Sequence, residues 1–166
     1  KQALTGKSQF LWLSLAAVFV IAGIFAIGQI SGLFNAVSEQ QVRFTEPLIE
    51  EAVRLTLKKG PQDPLLQNDL NGITNIYIFG DHAAGNNEDF KTYADAFAHS
   101  TGQVARGSIR TLSDLENLPN LRVLAVPYQS LTSIKSLPEL VLLEDVDLRH
   151  NPIEDVTPLT RLPLLQ

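Results

Sequence analysis

The stretch from residue 121 to residue 162, LRVLAVPYQSLTSIKSLPELVLLEDVDLRHNPIEDVTPLTRL, repeats its apolar positions at a fixed interval. Seven apolar residues each have an apolar counterpart 22 positions later. An interval this long is not that of a helix or a hairpin, and it indicates a stacked structural repeat. The first set is Leu121, Leu124, Val126, Leu131, Ile134, Leu137 and Leu140, and the second is Leu143, Val146, Leu148, Ile153, Val156, Leu159 and Leu162.

The spacing within each unit follows L-x-x-L-x-L-x-x-N-x-L, which is the leucine-rich-repeat pattern of a short parallel strand and an irregular return. The sequence therefore predicts an α/β solenoid. The same frame continues backward through an earlier unit and then through Ile73, Ile76 and Ile78. We predict about four coils, with strands near 76–78, 102–104, 124–126 and 146–148. The earlier unit comprises Val104, Ile109, Leu112, Leu115 and Leu118.

Extra residues separate the first two predicted strands, because Val104 follows Ile78 by 26 positions. In this segment Phe90, Tyr93, Ala94 and Phe97 recur at i, i+3, i+4 and i+7, the spacing of a helix with one buried face. The Asn position of the repeat is also irregular. It holds Asp81, Gly107, Gln129 and Asn151 in turn, so the first coils are expected to be less regular than the last two.

A helical cap is predicted before the repeats, over residues 44–72, and the repeats then fill residues 73–166. One face of the cap helix carries Ile49, Ala52, Val53, Thr56 and Leu57, and Pro47 suits its first turn. Solenoids need such a cap because an open end exposes apolar core. At the other end the chain stops near the start of a further repeat, so we expect a truncated chain that is marginally stable or associates.

A charge-free stretch runs from Phe10 to Ile30, and its apolar character continues to Phe34. About 20 apolar residues span a bilayer, so the sequence predicts a single transmembrane α-helix over residues 10–34, followed by a linker over 35–43. A cleaved signal peptide is the alternative, although its apolar region is usually shorter. Lys1 and Lys7 precede the stretch. The positive-inside bias therefore predicts a single-pass protein of the cell membrane, with a cytoplasmic stub over residues 1–9 and the repeats on the extracytoplasmic side.

Small residues recur within the predicted transmembrane helix at Ala22, Ala26, Gly28 and Gly32. Such spacing lets two helices approach closely, so it suggests a helix-mediated homodimer. The body after residue 34 carries 11 basic and 18 acidic residues. Nucleic-acid binding requires clustered Lys and Arg, and this acidic balance argues against it.

Two segments resemble bacterial internalin-like leucine-rich-repeat proteins. RFTEPLIEEAVRLTLKK followed by LLQNDLNGITNIYIFG is similar to their cap and first strand, and LPELVLLEDVDLRHNPIEDVTPLTRLP to their 22-residue repeat. The resemblance covers about residues 43–166. A membrane helix before such a domain also resembles, in architecture alone, bacterial receptor-like Ser/Thr protein kinases, although no kinase motif is present.

The exposed sheet face of a solenoid forms its concave binding surface. We expect an extracytoplasmic ligand to bind there, either a protein, a peptide or a glycan, and the strand register predicts which residues face it. We expect a sensor module of a signalling receptor, and the alternative is a structural or adhesive surface protein. The predicted ligand-facing residues are Tyr77, Phe79, Gln103, Ala105, Ala125, Pro127, Tyr128, Asp147 and Arg149.

Asp145, Asp147 and His150 are the candidates for a metal or acid–base site in this sequence. The two carboxylates stand about 7 Å apart on one strand face, and Arg149 beside them neutralises charge more readily than a metal ion. His82 and His99 read as surface or helix-end histidines. We therefore predict no catalytic residue, metal or cofactor within this chain, which has no cysteine.

Overall fold

The computed structural model describes residues 40–99 and 103–165. The predicted stub and transmembrane helix, with Ala22, Ala26, Gly28 and Gly32, lie outside the described residues. Within the two described ranges, no helix has the length and apolar character needed to cross a bilayer. The unit described below begins at Gln41.

Residues 40–99 and 103–165 form three helices, a four-stranded sheet and two 3₁₀ turns. The sheet has the strand order β2-β1-β3-β4, in which β2 pairs antiparallel and the other strands pair in parallel. In chain order the elements are α1 Pro47–Leu57, α2 Gln67–Leu70, β1 Asn75–Phe79, β2 His82–Ala84, α3 Asn87–Ala98, a 3₁₀ turn Ser113–Asn117, β3 Val123–Ala125, β4 Asp145–Asp147 and a 3₁₀ turn Thr157–Arg161.

The 22-residue repeat is confirmed by the register of the last two strands. Leu124 of β3 lies opposite Val146 of β4, and the two neighbouring pairs keep the same interval. Leu124, Val126 and Leu131 are fully buried, as the inward positions of the pattern predict. Alternation along a strand thus directs one set of side chains into the core and the other set to the opposite face.

The prediction of a second strand near 102–104 is wrong at residues 103 and 104, which the structure describes. Strand β1 pairs directly with β3, with Ile76 opposite Leu124, and residues 103 and 104 belong to no strand. The first two of the four predicted coils are therefore a single coil. Strand β1 is its strand, and residues 107–118 form its return. The described residues contain three parallel strands.

The conformation of the turn after each parallel strand shows where residues 81–106 are inserted into the first coil. Gly80, Tyr128 and His150 each adopt a left-handed conformation, with φ of 58°, 59° and 60°. Gly80 is thus the first coil's equivalent of Tyr128, and Gly107 is the equivalent of Gln129 in the 22-residue frame. We call residues 81–106 the insertion, because they leave the first coil after Gly80 and return to it at Gly107.

The cap is fastened to the first coil by two buried carboxylates. Asp114 Oδ2 accepts hydrogen bonds from the backbone N–H of Thr45 at 2.8 Å and of Glu46 at 2.7 Å. In return, Glu46 Oε1 accepts bonds from the backbone N–H groups of Arg110 and Thr111, at 3.0 and 2.9 Å. Helix α1 begins at Pro47, as predicted, and its N-cap residue Glu46 makes no side-chain cap bond. Asp114, from a distant segment, binds the two backbone N–H groups that lie just before the helix.

Candidate binding surface

The sheet has a second apolar cluster on the face opposite the main core. Its buried members are Tyr77, Ala84 and Ala125, with Phe90 and Val123 packed at the edge. Tyr77 and Phe79 point to this face, as alternation predicts, but each is only 8% exposed. Their predicted exposure is therefore wrong, and the physical reason is that helix α3 of the insertion lies over them.

Helix α3 covers the first strand through its aromatic residues. Asn86 caps the helix by accepting a hydrogen bond from the Asp89 N–H at 2.9 Å. The ring of Phe79 then lies 5.9 Å from each of three α3 rings, measured between centroids. These are the rings of Phe90, Tyr93 and Phe97, so the helix predicted from this spacing is confirmed, but its predicted buried face is not, because no residue of the helix is buried.

The aromatic contacts continue beyond α3 to both sides. Tyr128 lies 5.1 Å from Phe79 and stacks on His150 at 4.1 Å, with an interplanar angle of 16°. At the other end, His82 stacks on Tyr93 at 4.1 Å and 13°. We call these five residues, His82, Tyr93, Phe79, Tyr128 and His150, the aromatic row.

Sequence reasoning missed the histidines of the aromatic row, because it placed His82 and His150 in turns as solvated residues. The available signal was the recurrence of the turn position, which puts Tyr128 and His150 one repeat apart. Positive φ is uncommon for a bulky aromatic residue such as Tyr128, whereas histidine adopts it more often. The two left-handed turn residues stack on each other.

A charged pair borders the aromatic row on β4 and its turn. Arg149 donates to Asp147 through Nε at 2.9 Å and through Nη2 at 2.7 Å. The expected neutralisation of this carboxylate by Arg149 is confirmed. Burial alone would raise the pKa of Asp147, but the hydrogen bonds from Arg149 outweigh it and hold that pKa below its usual range. The same bonds raise the pKa of Arg149, whose side chain is 77% exposed.

The insertion is joined to the following turns by its last residue. Arg106 Nη1 donates to the carbonyl oxygens of Gln129 at 2.6 Å and His150 at 2.7 Å. A cleft of about 320 Å³ opens between α3 and these turns, with Phe97, Tyr128 and Arg149 in its walls. Apolar walls with few polar groups are typical of binding clefts.

The nine predicted ligand-facing residues fall into three groups. Tyr128, Asp147 and Arg149 come together beside the cleft, where Asp147 and Tyr128 are half-buried and Arg149 is exposed. Gln103 and Ala105 are exposed, but they lie in the insertion and not on a strand. The predicted exposure of the other four is wrong, because they are buried: Tyr77, Phe79, Ala125 and Pro127.

The carboxylates of β4 gather no metal-ion site. Across residues 40–99 and 103–165, no group of three His, Cys, Asp or Glu residues is placed to hold a metal ion. Asp145 is exposed, and its charge adds to the effect of burial in raising the pKa of Tyr77. The arrangement of rings, cleft and ion pair is suited to binding.

No family model and no curated protein matches this sequence. Among solved structures, internalin C2 from Listeria monocytogenes strain 4b F2365 is similar, with a TM-score of 0.55 and 20% identity, over 74% of this chain and 43% of that one. An internalin F structure from the same strain has a TM-score of 0.46 and 23% identity, over 71% and 34%. The chain spans less than half the length of either structure. The likeness to internalin C2 shows that the chain has an internalin-like leucine-rich-repeat fold.

Proposed function

We propose that this chain is a recognition module that binds a partner protein across the sheet face between α3 and the turn at His150. The observation that carries the proposal is the exposed Arg149, held by Asp147 at the edge of the aromatic row. Arg and aromatic residues are enriched at the energetic centres of protein interfaces. Because the Asp147 bonds fix the guanidinium, less side-chain entropy is lost when a partner binds it.

A protein or peptide partner is favoured over a glycan. A sugar ring usually packs on an uncovered aromatic face, whereas Tyr128 is stacked by His150 and contacted by Phe79.

A photo-crosslinking amino acid tests the proposed surface in the full chain, in membranes of the source cells. It replaces the exposed Asp145, on the same face of β4 as Asp147, in one variant and the exposed Lys135, on the return of the second repeat, in the control. We expect a discrete adduct at position 145 and none at position 135, and Tyr128→Ala should reduce the adduct. Equal adducts at both positions, or an adduct at 135 alone, would contradict the proposal.

We also propose that residues 10–34 anchor the module in the cell membrane, with residues 1–9 cytoplasmic and the repeats outside. The support is the 21-residue charge-free stretch and the two lysines before it. The full chain should stay with membranes in alkaline carbonate, and a Val18→Arg, Val20→Arg variant should be released. External protease should digest the repeats in intact cells, and protection of the repeats would contradict this orientation.

The sensor role is the extension that we favour over adhesion. In it, binding outside alters the pairing of the membrane helices and so reaches an effector such as a Ser/Thr kinase. Partner addition should then change cross-linking between full chains, and Gly28→Ile with Gly32→Ile should abolish the change. An adhesive role predicts that cross-linking is the same with and without the partner.

A further inference from the structure

The insertion leaves and rejoins the first coil at adjacent points. The Gly80 N–H donates to the Pro127 carbonyl at 3.1 Å, and the Gly107 N–H donates to the Tyr128 carbonyl at 2.9 Å. A Cβ atom on Gly107 would lie 2.2 Å from the carbonyl oxygen of Gly80. Gly80 and Gly107 thus lie next to each other in the turn of the first coil. Removing residues 81–106 would leave 22 positions between the paired residues of β1 and β3.

Helix α3 rests on the sheet without becoming part of the main core. It has no buried residue over its whole length, Asn87–Ala98. Its attachment to β1 is made through the ring contacts of Phe90, Tyr93 and Phe97, all partly or well exposed to solvent. Segments with few buried apolar contacts open more easily than core elements do.

The surface beneath α3 has the properties of a helix-binding groove. It presents Tyr77, Phe79 and Ala125, which are apolar or aromatic and nearly enclosed, and the first two contact the ring of Phe90 on α3. Amphipathic helices are bound by such grooves through side chains spaced i, i+3, i+4 and i+7. The cleft beside Phe97 and Tyr128 joins this covered area to the exposed Arg149.

We propose that α3 is a displaceable occupant of the binding face, and that the partner enters this face as an amphipathic helix with aromatic side chains at the same spacing. The inference rests on the proposed function, since both concern the same sheet face. It adds the chemistry of the partner segment, because α3 already shows which kind of helix the face accepts. The partner must then displace α3, which is tethered to the same coil.

Tethering determines how strongly α3 competes. A segment attached by a short linker acts at an effective concentration in the millimolar range, so a free helix of similar affinity binds the intact chain weakly. The partner's apparent dissociation constant equals its intrinsic value divided by the fraction of chains in which α3 is displaced. Removing the insertion should therefore strengthen binding in trans.

A synthetic peptide of residues 86–99 provides the probe, with fluorescence anisotropy as the measurement. The full chain is compared with a variant in which Gly80 is joined to Gly107 and residues 81–106 are deleted. We expect the deletion variant to bind the peptide at least ten-fold more tightly than the full chain does. A peptide with Phe90→Ala and Phe97→Ala should lose this binding. Equal affinities for the two proteins, or binding by neither, would overturn the proposal.

A second variant covers the case in which the deletion prevents folding. Phe90→Ala with Phe97→Ala in the full chain keeps the insertion but weakens the hold of α3, and Glu88→Ala with Lys91→Ala, on exposed positions of the same helix, is the control. The aromatic variant should bind the unaltered peptide at least ten-fold more tightly than the control. No gain over the control would overturn the proposal.

The partner captured at position 145 separates this inference from the proposed function. Its affinity should rise when the insertion is deleted or the two phenylalanines are replaced. A fall would show that α3 is part of the docking surface, which would overturn the displacement model and leave the binding function standing. Absence of any adduct at position 145 would contradict the binding function, while the peptide measurement would still test the groove.

Discussion

Gly107 and Gln129 occupy equivalent positions in neighbouring coils, and the missing side chain of one makes room for the long amide of the other. A Cβ atom on Gly107 would lie 1.9 Å from Gln129 Oε1. The buried Gln129 donates through Nε2 to the Gly80 carbonyl at 2.6 Å. Asn151, one repeat later, links coils in the same manner by donating to Val126 O at 3.0 Å. A glutamine thus takes the place of the usual asparagine, and its longer side chain passes Gly107 to bond Gly80, the residue that precedes the insertion.

Replacing Gly107 with alanine tests this relationship. We expect Gly107→Ala to lower the free energy of unfolding by about 1–3 kcal/mol, because the added methyl group overpacks a site with no free space. Urea unfolding of the full chain, followed by far-UV circular dichroism, measures the change. Gly72→Ala is the matched control, since its Cβ atom would come no closer than 3.4 Å to Asp69 O. Similar stabilities for the two variants would contradict the contact.

The carboxylate of Asp114 fastens the cap to the first coil. Asp114→Ala leaves the buried N–H groups of Thr45 and Glu46 without their acceptor, which should cost about 1–3 kcal/mol of unfolding free energy. Amide hydrogen exchange should also quicken in α1. Glu116→Ala, at an exposed position of the same 3₁₀ turn, should change stability by less than about 0.5 kcal/mol. Unchanged exchange in α1 of the Asp114→Ala variant would argue against the fastening role.

The ion pair between Asp147 and Arg149 predicts a pH dependence of stability. Because folding lowers the pKa of Asp147, its ionised form stabilises the fold above the unfolded-state pKa of about 3.9. This contribution is lost as the pH falls through the lower folded-state value. The stability difference between the original chain and Asp147→Asn should therefore shrink below about pH 4. It should not exceed about 1 kcal/mol at pH 7, since solvent screens the exposed guanidinium.

Arg149→Gln provides the companion measurement for that pH profile. It leaves Asp147 in place but removes the guanidinium that lowers its pKa, and burial then acts to raise that pKa. The gain in unfolding free energy that the original chain shows as the pH rises through about 4 should therefore be absent or reversed in this variant. A profile identical to that of the original chain would show that the pair does not contribute to the fold.

The sequence predicts the parts of this fold that depend on local periodicity. The spacing of Leu124 and Val146 gives the strand register, and the spacing of Phe90, Tyr93 and Phe97 gives helix α3. It does not predict which strand pairs with β1, because Val104 fits the apolar pattern without forming a strand that the structure describes. Hydrophobic spacing reports which side chains are covered, and not which element covers them.

The same limit explains the errors at the candidate site. Alternation correctly assigns Tyr77 and Phe79 to the face opposite the core, but it cannot show that α3 lies over that face. The bond between Asp114 and Glu46 joins residues 68 positions apart and leaves no periodic signal. The stack of His150 on Tyr128 joins two turn residues with positive φ, and the hydrophobic pattern does not predict that conformation for Tyr128.

The most direct test of the binding surface is the affinity of the partner captured at position 145 for three forms of the full chain. Titration calorimetry compares the original chain, Arg149→Ala and Lys135→Ala. We expect Arg149→Ala to weaken binding at least ten-fold, which corresponds to about 1.4 kcal/mol, while Lys135→Ala binds like the original chain. Equal affinities for all three forms would contradict a binding surface centred on Arg149 and the aromatic row.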